Sequence, residues 1–210
     1  ILLYAYGRPL LLDPGRTKYD SPLMPILSKN HSHNVLLVDD QRMRHPGSEI
    51  QAWHTTPVLD LADSLYRGLY EGVDHRRAIV FVRPDYYVMF DSADSTESHR
   101  FGINFWLTPP DVTIDRTRFT VRSNELEGSN VLVGLLDPEG AEIAERKGSL
   151  DLGGKRDDIP VVTFWKRGDR GARFATVLYP YPKGAPVPSL ETSCKRAGEA
   201  ATVEVKHGDG

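Results

Sequence analysis

Cysteine is almost missing from this sequence, in which Cys194 is the single cysteine among 210 residues. One thiol cannot form a disulfide within the chain, so the fold has no internal cross-link to depend on. Low cysteine usage is typical of cytosolic proteins, but bacterial periplasmic proteins also manage without disulfides. Cysteine content therefore leaves the compartment open.

Long hydrophobic runs are also missing. No apolar stretch approaches the ~18 to 20 residues that a membrane-spanning helix needs, so we predict no transmembrane segment. The chain begins with Ile-Leu-Leu-Tyr-Ala-Tyr instead of methionine, a charged leader or a cleavage site. We interpret it as a fragment that begins inside a strand, which leaves open a signal peptide upstream in the parent protein.

Neither positive nor negative charge dominates the sequence. The formal net charge is -3, and charged residues make up 26% of the chain beside 40% hydrophobic residues, which are ordinary values for a globular protein. A weakly acidic chain is a poor general binder of nucleic acid, so we predict no nucleic-acid partner. The 18 glycines and 15 prolines are spread along the chain and mark turns, not one linker. We predict a single domain over residues 1–210.

Several familiar site motifs are absent. The sequence has no pair of Cys-x-x-Cys motifs, no Gly-x-x-x-x-Gly-Lys-Ser/Thr loop, no His-Glu-x-x-His and no Gly-x-Ser-x-Gly. These absences remove the usual zinc-ribbon, nucleotide-binding, zincin and serine-hydrolase interpretations.

Short apolar runs bounded by turn residues fill most of the chain. This pattern predicts an all-β fold, an antiparallel β-sandwich with few or no helices. The segment from Leu59 to Tyr66 is the one helix candidate and fits a strand equally well. The polar, Gly-rich stretch from Lys147 to Asp158 predicts an exposed loop. The expected strands are Leu2–Tyr6, Pro9–Asp13, Val35–Asp39, Val58–Tyr66, Ala78–Arg83, Tyr86–Asp91, Arg100–Leu107, Val112–Ile114, Phe119–Arg122, Val131–Leu136, Val161–Lys166, Phe174–Tyr179 and Thr202–Val205.

Asp13 and His33 stand at the ends of two of these predicted strands. Asp13 closes the first at a Pro-Gly turn, and His33 opens the second. If the two strands are antiparallel neighbours, the carboxylate and the imidazole reach the same edge of the sheet, where they form a polar contact or part of a metal site. Because His31 and His33 alternate as in a strand, they are expected to point to opposite faces, and one of them at most is a ligand.

Other polar residues have simpler explanations. His45, His54, His99 and His207 are interpreted as solvated or hydrogen-bonded structural residues. Arg76 and Arg77 beside His75 are interpreted as a solvated charged cluster before a strand. The tryptophans Trp53, Trp106 and Trp165 are expected in the core, although exposed indole rings would stack on sugars.

The ordered combination of motifs resembles a known family. The C-terminal β-domain of the heparinase II/III-like polysaccharide lyases, a group that includes oligo-alginate lyases, is similar to the first half of the chain. The motifs that carry this resemblance are Gly7-x-Pro9-Leu-Leu-Leu-Asp13-Pro-Gly15, Tyr19, His33-Asn34-Val-Leu-Leu-Val-Asp39, Tyr66, His75-x-Arg77-x-Ile-Val-Phe-Val and Tyr86-Tyr-Val-Met-Phe-Asp91.

The resemblance implies a larger architecture and a site. An α/α toroid precedes the β-sandwich in this family, an acidic polysaccharide lies between them, and the principal Tyr and His catalysts belong to the toroid. Asp13 and His33 take the positions of two ligands of a structural zinc, whose third ligand comes from a His-x-His segment expected before Ile1. Tyr19 takes the position of a tyrosine in the cleft, which makes it a catalytic candidate, and His31 and Arg77 are candidates for substrate binding.

The implied activity is β-elimination on a polysaccharide that contains uronic acid. Such an enzyme removes the proton on C5, next to the carboxylate, and must neutralise the charge that develops. The parent would be periplasmic or secreted in a bacterium, and the isolated fragment is expected to be inactive. The alternative is a β-sandwich without catalytic activity that binds carbohydrate or has a structural role.

Overall fold

Two antiparallel sheets and two short hairpins make up a computed structural model that describes residues 1–14, 21–151, 155–197 and 200–207. The only helical segments in these ranges are α1 (Met24–Leu27) and a 3-10 turn (Asn30–Ser32), so the predicted all-β fold is confirmed. The strands are β1 (Leu3–Ala5), β2 (Arg8–Leu11), β3 (Leu36–Val38), β4 (Glu49–Thr55), β5 (Leu59–Tyr70), β6 (Val73–Val82), β7 (Tyr86–Ser95), β8 (His99–Trp106), β9 (Val112–Asp115), β10 (Thr120–Ser123), β11 (Asn130–Leu135), β12 (Ala141–Asp151), β13 (Lys155–Gly168), β14 (Gly171–Tyr181), β15 (Leu190–Ala197) and β16 (Ala200–His207).

The two main sheets pack face to face. The larger has the strand order β4-β5-β6-β7-β14-β11-β10-β9, and the smaller has the order β12-β13-β8-β3. Phe101, Ile103 and Phe164 of the small sheet share one buried cluster with Met89 and Phe174 of the large sheet. Burial of apolar surface between the sheets is the main source of stability in such a sandwich. The hairpin β15-β16 packs on the opposite face of the large sheet.

Strand β8 is buried on both faces. Phe101, Ile103 and Phe105 belong to the core between the sheets, and Trp106 belongs to a second cluster with Leu12 on the opposite face. The alternation of side chains along a strand explains this division. The segment before β3 covers the outer face, where Asn104 and Trp106 donate hydrogen bonds to its backbone. This outer face carries the candidate site.

The structure decides one assignment that the sequence left open and corrects another. The segment Leu59–Tyr66 is entirely strand, within β5. The predicted loop from Lys147 to Asp158 is wrong, because Gly148 pairs with Ile159 and Leu150 with Arg156 in the hairpin β12-β13. Strand β12 lies at a sheet edge and carries many polar side chains. Its composition therefore resembles that of a loop, although its backbone is paired.

Strand β4 was missed altogether. It forms the end of the large sheet, and most of its side chains are exposed on both faces, so it has no apolar alternation to detect. Trp53 on this strand is 73% exposed, whereas Trp106 is 1% exposed. The expectation that the tryptophans lie in the core therefore holds for Trp106 and is wrong for Trp53.

No helix among the residues that the structure describes has the length and apolar character needed to cross a bilayer.

Candidate functional site at the edge of strand β8

Strand β2 ends just before Asp13, strand β3 begins just after His33, and both lie along the same edge of β8. Leu36 of β3 pairs with Ile103, and Leu11 forms an isolated bridge to Leu107. Leu12 N donates to Trp106 O at 3.0 Å, and Asn104 N donates to Val35 O at 3.3 Å. The two strands are therefore placed end to end along β8, and the prediction that they are antiparallel neighbours is wrong.

Asp13 and His33 meet at this edge, as expected. His33 Nδ1 lies 2.7 Å from Asp13 Oδ1, which is the distance of a strong hydrogen bond between an imidazole and a carboxylate. About a quarter of each side chain is exposed, with values of 24% for His33 and 26% for Asp13. The contact forms because Leu12 and Asn34, one on each side of the pair in sequence, are fixed to the same edge of β8; we call the stretch 14–33 of the sequence the excursion.

Asn34 fastens both ends of the excursion to β8. Its side-chain amide donates to Leu12 O and to Ile1 O, each at 2.8 Å, and its Oδ1 accepts a 2.7 Å bond from Trp106 N. Asn34 is 1% exposed, and these bonds use both donors and the acceptor of its side chain. Since Leu12 precedes Asp13 and Asn34 follows His33, this one amide sets the distance between the two site residues.

His31 lies in the 3-10 turn, not in a strand. The prediction of strand alternation from His31 to His33 is therefore wrong, because the chain turns here before it reaches β3. The carbonyl of His31 accepts hydrogen bonds from Asn104 Nδ2 at 2.9 Å, from Trp106 Nε1 at 3.0 Å and from Arg146 Nη2. Burial, followed by the charges of Arg146 and Lys29, lowers the pKa of the His31 imidazole.

Arg77 belongs to a buried ionic cluster behind the site. Its Nε donates to Asp91 Oδ1 at 2.6 Å, its Nη1 donates to Asn34 O at 3.1 Å, and its side chain is 12% exposed. His75 Nε2 also lies 2.7 Å from Asp91 Oδ1. The interpretation of His75 and Arg77 as a solvated cluster is wrong, because both face the interior from strand β6. Arg77 thus supports the backbone of Asn34.

Burial decides the protonation state of this cluster. It lowers the pKa of His75, more strongly than Asp91 raises it, so the imidazole is neutral and its Nε2-H donates to the carboxylate. Burial alone would raise the pKa of Asp91, but Arg77 and His75 together bring it below its usual range. Asp91 is therefore ionised, and Arg77 balances its charge.

Two predicted features remain, the catalytic candidate Tyr19 and the zinc site. Tyr19 lies outside the described residues. Among the residues that the structure describes, no group of three His, Cys, Asp or Glu side chains is placed to share a metal ion. Asp13 and His33 have the right donor types for zinc, but a structural zinc site needs four ligands, so these two alone do not fit the ion.

A comparison with protein families identifies the chain. The sequence profile described as "Heparinase II/III-like, C-terminal" matches residues 1–160. The chain belongs to this family.

Curated relatives of this heparinase II/III-like domain are named heparin-sulfate lyases. The enzyme from Pedobacter heparinus is 23% identical over 188 residues, a match that covers 85% of this chain and 28% of the relative. The enzyme from Bacteroides stercoris is 22% identical over 169 residues, which is 78% of this chain and 25% of the relative. The chain thus matches about a quarter of the length of these proteins.

Solved structures share its fold. The crystal structure of a heparan sulfate lyase mutant from Pedobacter heparinus matches with a TM-score of 0.86 and 21% identity, over 99% of this chain and 35% of the other. A heparinase III structure matches with a TM-score of 0.87 and 19% identity, over 97% of this chain and 33% of the other. At such identities the likeness establishes the sandwich fold of the heparinase II/III-like domain and nothing finer.

Sequence reasoning missed two residues of this site. Asn34 was part of the His-Asn motif that carried the resemblance, but its clamping role depends on Trp106, which lies 72 residues away in sequence. Arg146 borders the predicted loop from Lys147, and no local pattern distinguishes it from other surface arginines. Both roles depend on contacts with Trp106 of β8, which is distant in sequence from Asn34 and Arg146.

Proposed function

We propose that this heparinase II/III-like domain forms one wall of the substrate cleft in a lyase that cleaves uronic-acid-containing polysaccharide by β-elimination. Family membership and the names of the curated relatives support the reaction class. The observation that carries the proposal is the contact of Asp13 with His33 on a partly exposed rim. A rigid rim of this kind positions groups against a substrate more accurately than a free loop does.

The chemistry explains why a second wall is needed. A carboxylate stabilises a neighbouring carbanion poorly, so the site must neutralise the acid group while another residue takes the C5 proton. In our proposal Tyr19 and His31 face the substrate from this domain and Arg77 contributes by supporting the backbone of Asn34 behind them. The principal Tyr and His catalysts come from an α/α toroid that precedes the domain in the parent. Because the substrate is a large extracellular polymer, we place the parent in the periplasm or outside the cell.

Zinc belongs to the proposal only for the longer parent. Asp13 and His33 supply two ligands, and we propose that a histidine upstream of Ile1 adds the third. A bound ion would tie the rim to the preceding segment. The elimination itself is assigned to side chains.

An elimination assay tests the proposal. Cleavage creates an unsaturated uronate that absorbs ultraviolet light, and heparan sulfate, heparin and alginate serve as substrates. We expect turnover by the full-length parent and none by the 210-residue chain. A parent that cleaves no acidic polysaccharide would contradict the proposed reaction, and turnover by the chain alone would contradict the division of catalysts between two domains.

A carbohydrate-binding module is the second candidate, and the exposure of Trp53 supports it. This indole is 73% exposed on the end strand of the large sheet, away from β8. Exposed aromatic rings of this kind stack on sugar rings. Glycan binding that is lost in Trp53→Ala and kept in Asp13→Ala and His33→Ala would favour this alternative over the lyase domain.

A further inference from the structure

Arg146 contacts the candidate site from the neighbouring hairpin. It lies on β12, opposite Val161 of β13, which is itself opposite Trp106 of β8, so the three side chains share the outer face of the small sheet. The guanidinium carbon lies 5.0 Å from the centre of the Trp106 ring, and Nη2 donates to His31 O. Stacking and one hydrogen bond thus hold a cation beside the excursion.

No carboxylate within the described ranges neutralises this cation. Two other partly buried cations have such a partner. Arg77 Nε lies 2.6 Å from Asp91 Oδ1, and Lys166 Nζ lies 3.3 Å from Asp137 Oδ2. The contacts of Arg146 within the described residues are a carbonyl and an aromatic ring, and burial alone lowers its pKa. A half-buried charge without a counter-ion is costly, and such costs are concentrated at functional sites.

Charged groups surround His31, the residue whose carbonyl accepts the hydrogen bond from Arg146. The charges of Arg146, Lys29 and His33 lower the pKa of the His31 imidazole, and the charge of Asp40 raises it. The same patch adjoins the rim, because Asn104 Nδ2 donates both to His31 O and to His33 O, at 2.9 and 2.8 Å. Arg146 is therefore connected, through His31 O and the Asn104 side chain, to the backbone of His33 in the rim.

Arginine is well suited to such an anion. Its planar group carries five N-H donors, of which one is used for His31 O in the part of the chain that the structure describes. Carboxylate and sulfate oxygens match the spacing of the remaining donors, and the stacked ring fixes their direction. A lysine would supply the charge but not this paired geometry.

We propose that Arg146 is a substrate-binding residue that takes an acid group of the polysaccharide, through its carboxylate or sulfate oxygens, beside Asp13 and His33. This inference rests on the proposed function, and it adds a residue from β12 to the site. The acid group is either the carboxylate of the uronic acid or a sulfate on the sugar. The experiment distinguishes them by comparing a sulfated with an unsulfated probe.

Calorimetric titration of the 210-residue chain tests the inference. The probes are a heparan sulfate hexasaccharide and an unsulfated uronic-acid oligosaccharide of the same length, at one fixed low salt concentration. We expect Arg146→Gln to weaken binding by about tenfold or more, since a charge-assisted hydrogen bond is lost. A larger loss for the sulfated probe assigns the sulfate, and equal losses assign the carboxylate.

Lys147→Gln is the matched control, because Lys147 is the exposed neighbour on the same strand and its replacement changes the net charge equally. An equal loss in both variants would overturn the inference, as would unchanged binding in Arg146→Gln or a wild-type chain that binds neither probe. If Arg146→Gln does not fold, Arg146→Lys decides: weaker binding supports the paired geometry, and unchanged binding overturns it. The proposed lyase function is tested separately, by the elimination assay on the full-length parent.

Discussion

The contact between Asp13 and His33 is a pairing of two partly exposed side chains, and this exposure limits its strength. Solvent screens a quarter-exposed pair, so its contribution is closer to that of a surface ion pair than to that of a buried one. The contact matters because of its position: Asp13 and His33 lie at the two ends of the excursion.

A double-mutant cycle measures this contact. We expect Asp13→Ala and His33→Ala each to lower the free energy of unfolding by about 1 kcal/mol, with a coupling energy of about 0.5 to 1 kcal/mol. Urea denaturation of the two single variants and the double variant gives these values. Additive losses would mean that the two side chains do not interact in solution. Exposed His54, replaced by alanine, is the control for loss of a histidine.

The buried His75 makes stability sensitive to acid. The pKa of His75 is about 6.5 in an unfolded chain and lower in the folded domain. Below pH 6.5 the imidazole therefore binds a proton more readily in the unfolded state than in the folded state. Stability is therefore full above pH 6.5 and falls as the pH drops towards the folded pKa. Asp91, with its lowered pKa, adds a further loss in stronger acid, below the ordinary range of a carboxyl group.

Replacing His75 by glutamine tests this dependence. Glutamine keeps a donor for Asp91 but does not titrate, so the loss of unfolding free energy between pH 7.5 and pH 5.5 should be smaller than in the wild type. Urea unfolding at the two pH values measures the difference. His54→Gln, a change on an exposed strand, should keep the wild-type dependence. An identical dependence in His75→Gln would exclude His75 as its source.

At the scale of elements, Asn34 joins three segments of backbone. Its amide holds the residues before β1, the end of β2 and the end of β8 together. Two carbonyls and one amide N-H depend on this single side chain, and buried backbone groups without partners are costly. The rim of the site is therefore only as rigid as this clamp.

Asn34→Ala should lower the free energy of unfolding by about 2 to 4 kcal/mol, because it leaves buried polar groups unpaired. Chemical denaturation measures the loss. Asn124→Ala is the control, since the side-chain hydrogen bonds that the structure describes for Asn124 go to the exposed Asp111 and Thr113 side chains, and their loss should cost less than about 1 kcal/mol. Equal effects of the two substitutions would show that the clamp has no special role.

The sequence allowed the site to be predicted in part. The turn after Leu12 and the strand after Asn34 have clear local signals, and the family resemblance indicated that Asp13 and His33 meet. The route by which they meet was not predictable, because pairing with β8 involves residues about seventy positions further along the chain. For the same reason the 3-10 turn at His31 and the position of Arg146 were missed.

At the scale of the whole molecule, alternating apolar runs were enough to predict the sandwich. Strands buried on one face carry a period of two, and this signal does not depend on which strand pairs with which. Strand β4 was not predicted because most of its side chains face water, and the part of the hairpin β12-β13 beyond Lys147 was not predicted because its sequence is polar and rich in glycine. Fold class was thus easier to predict than the extent of the sheet edges.

Zinc binding is a property that we expect only of a longer chain. Two donors hold the ion poorly, so the 210-residue chain should show little or no rise in melting temperature when Zn²⁺ is added. A chain extended upstream of Ile1 should show a clear rise that is lost in Asp13→Asn and in His33→Gln and kept in His54→Gln. Tight binding by the short chain would contradict the proposed third ligand.

The end-to-end arrangement of β2 and β3 on β8 has an evolutionary consequence. Both ends of the excursion are fixed to one continuous strand edge, and the entropy of closing a loop rises only slowly with its length. Insertions and deletions between these anchors can be accepted without moving Asp13 away from His33. The length of this stretch can therefore differ between relatives that keep the same rim, provided that the residues which contact β8 and Arg146 are retained.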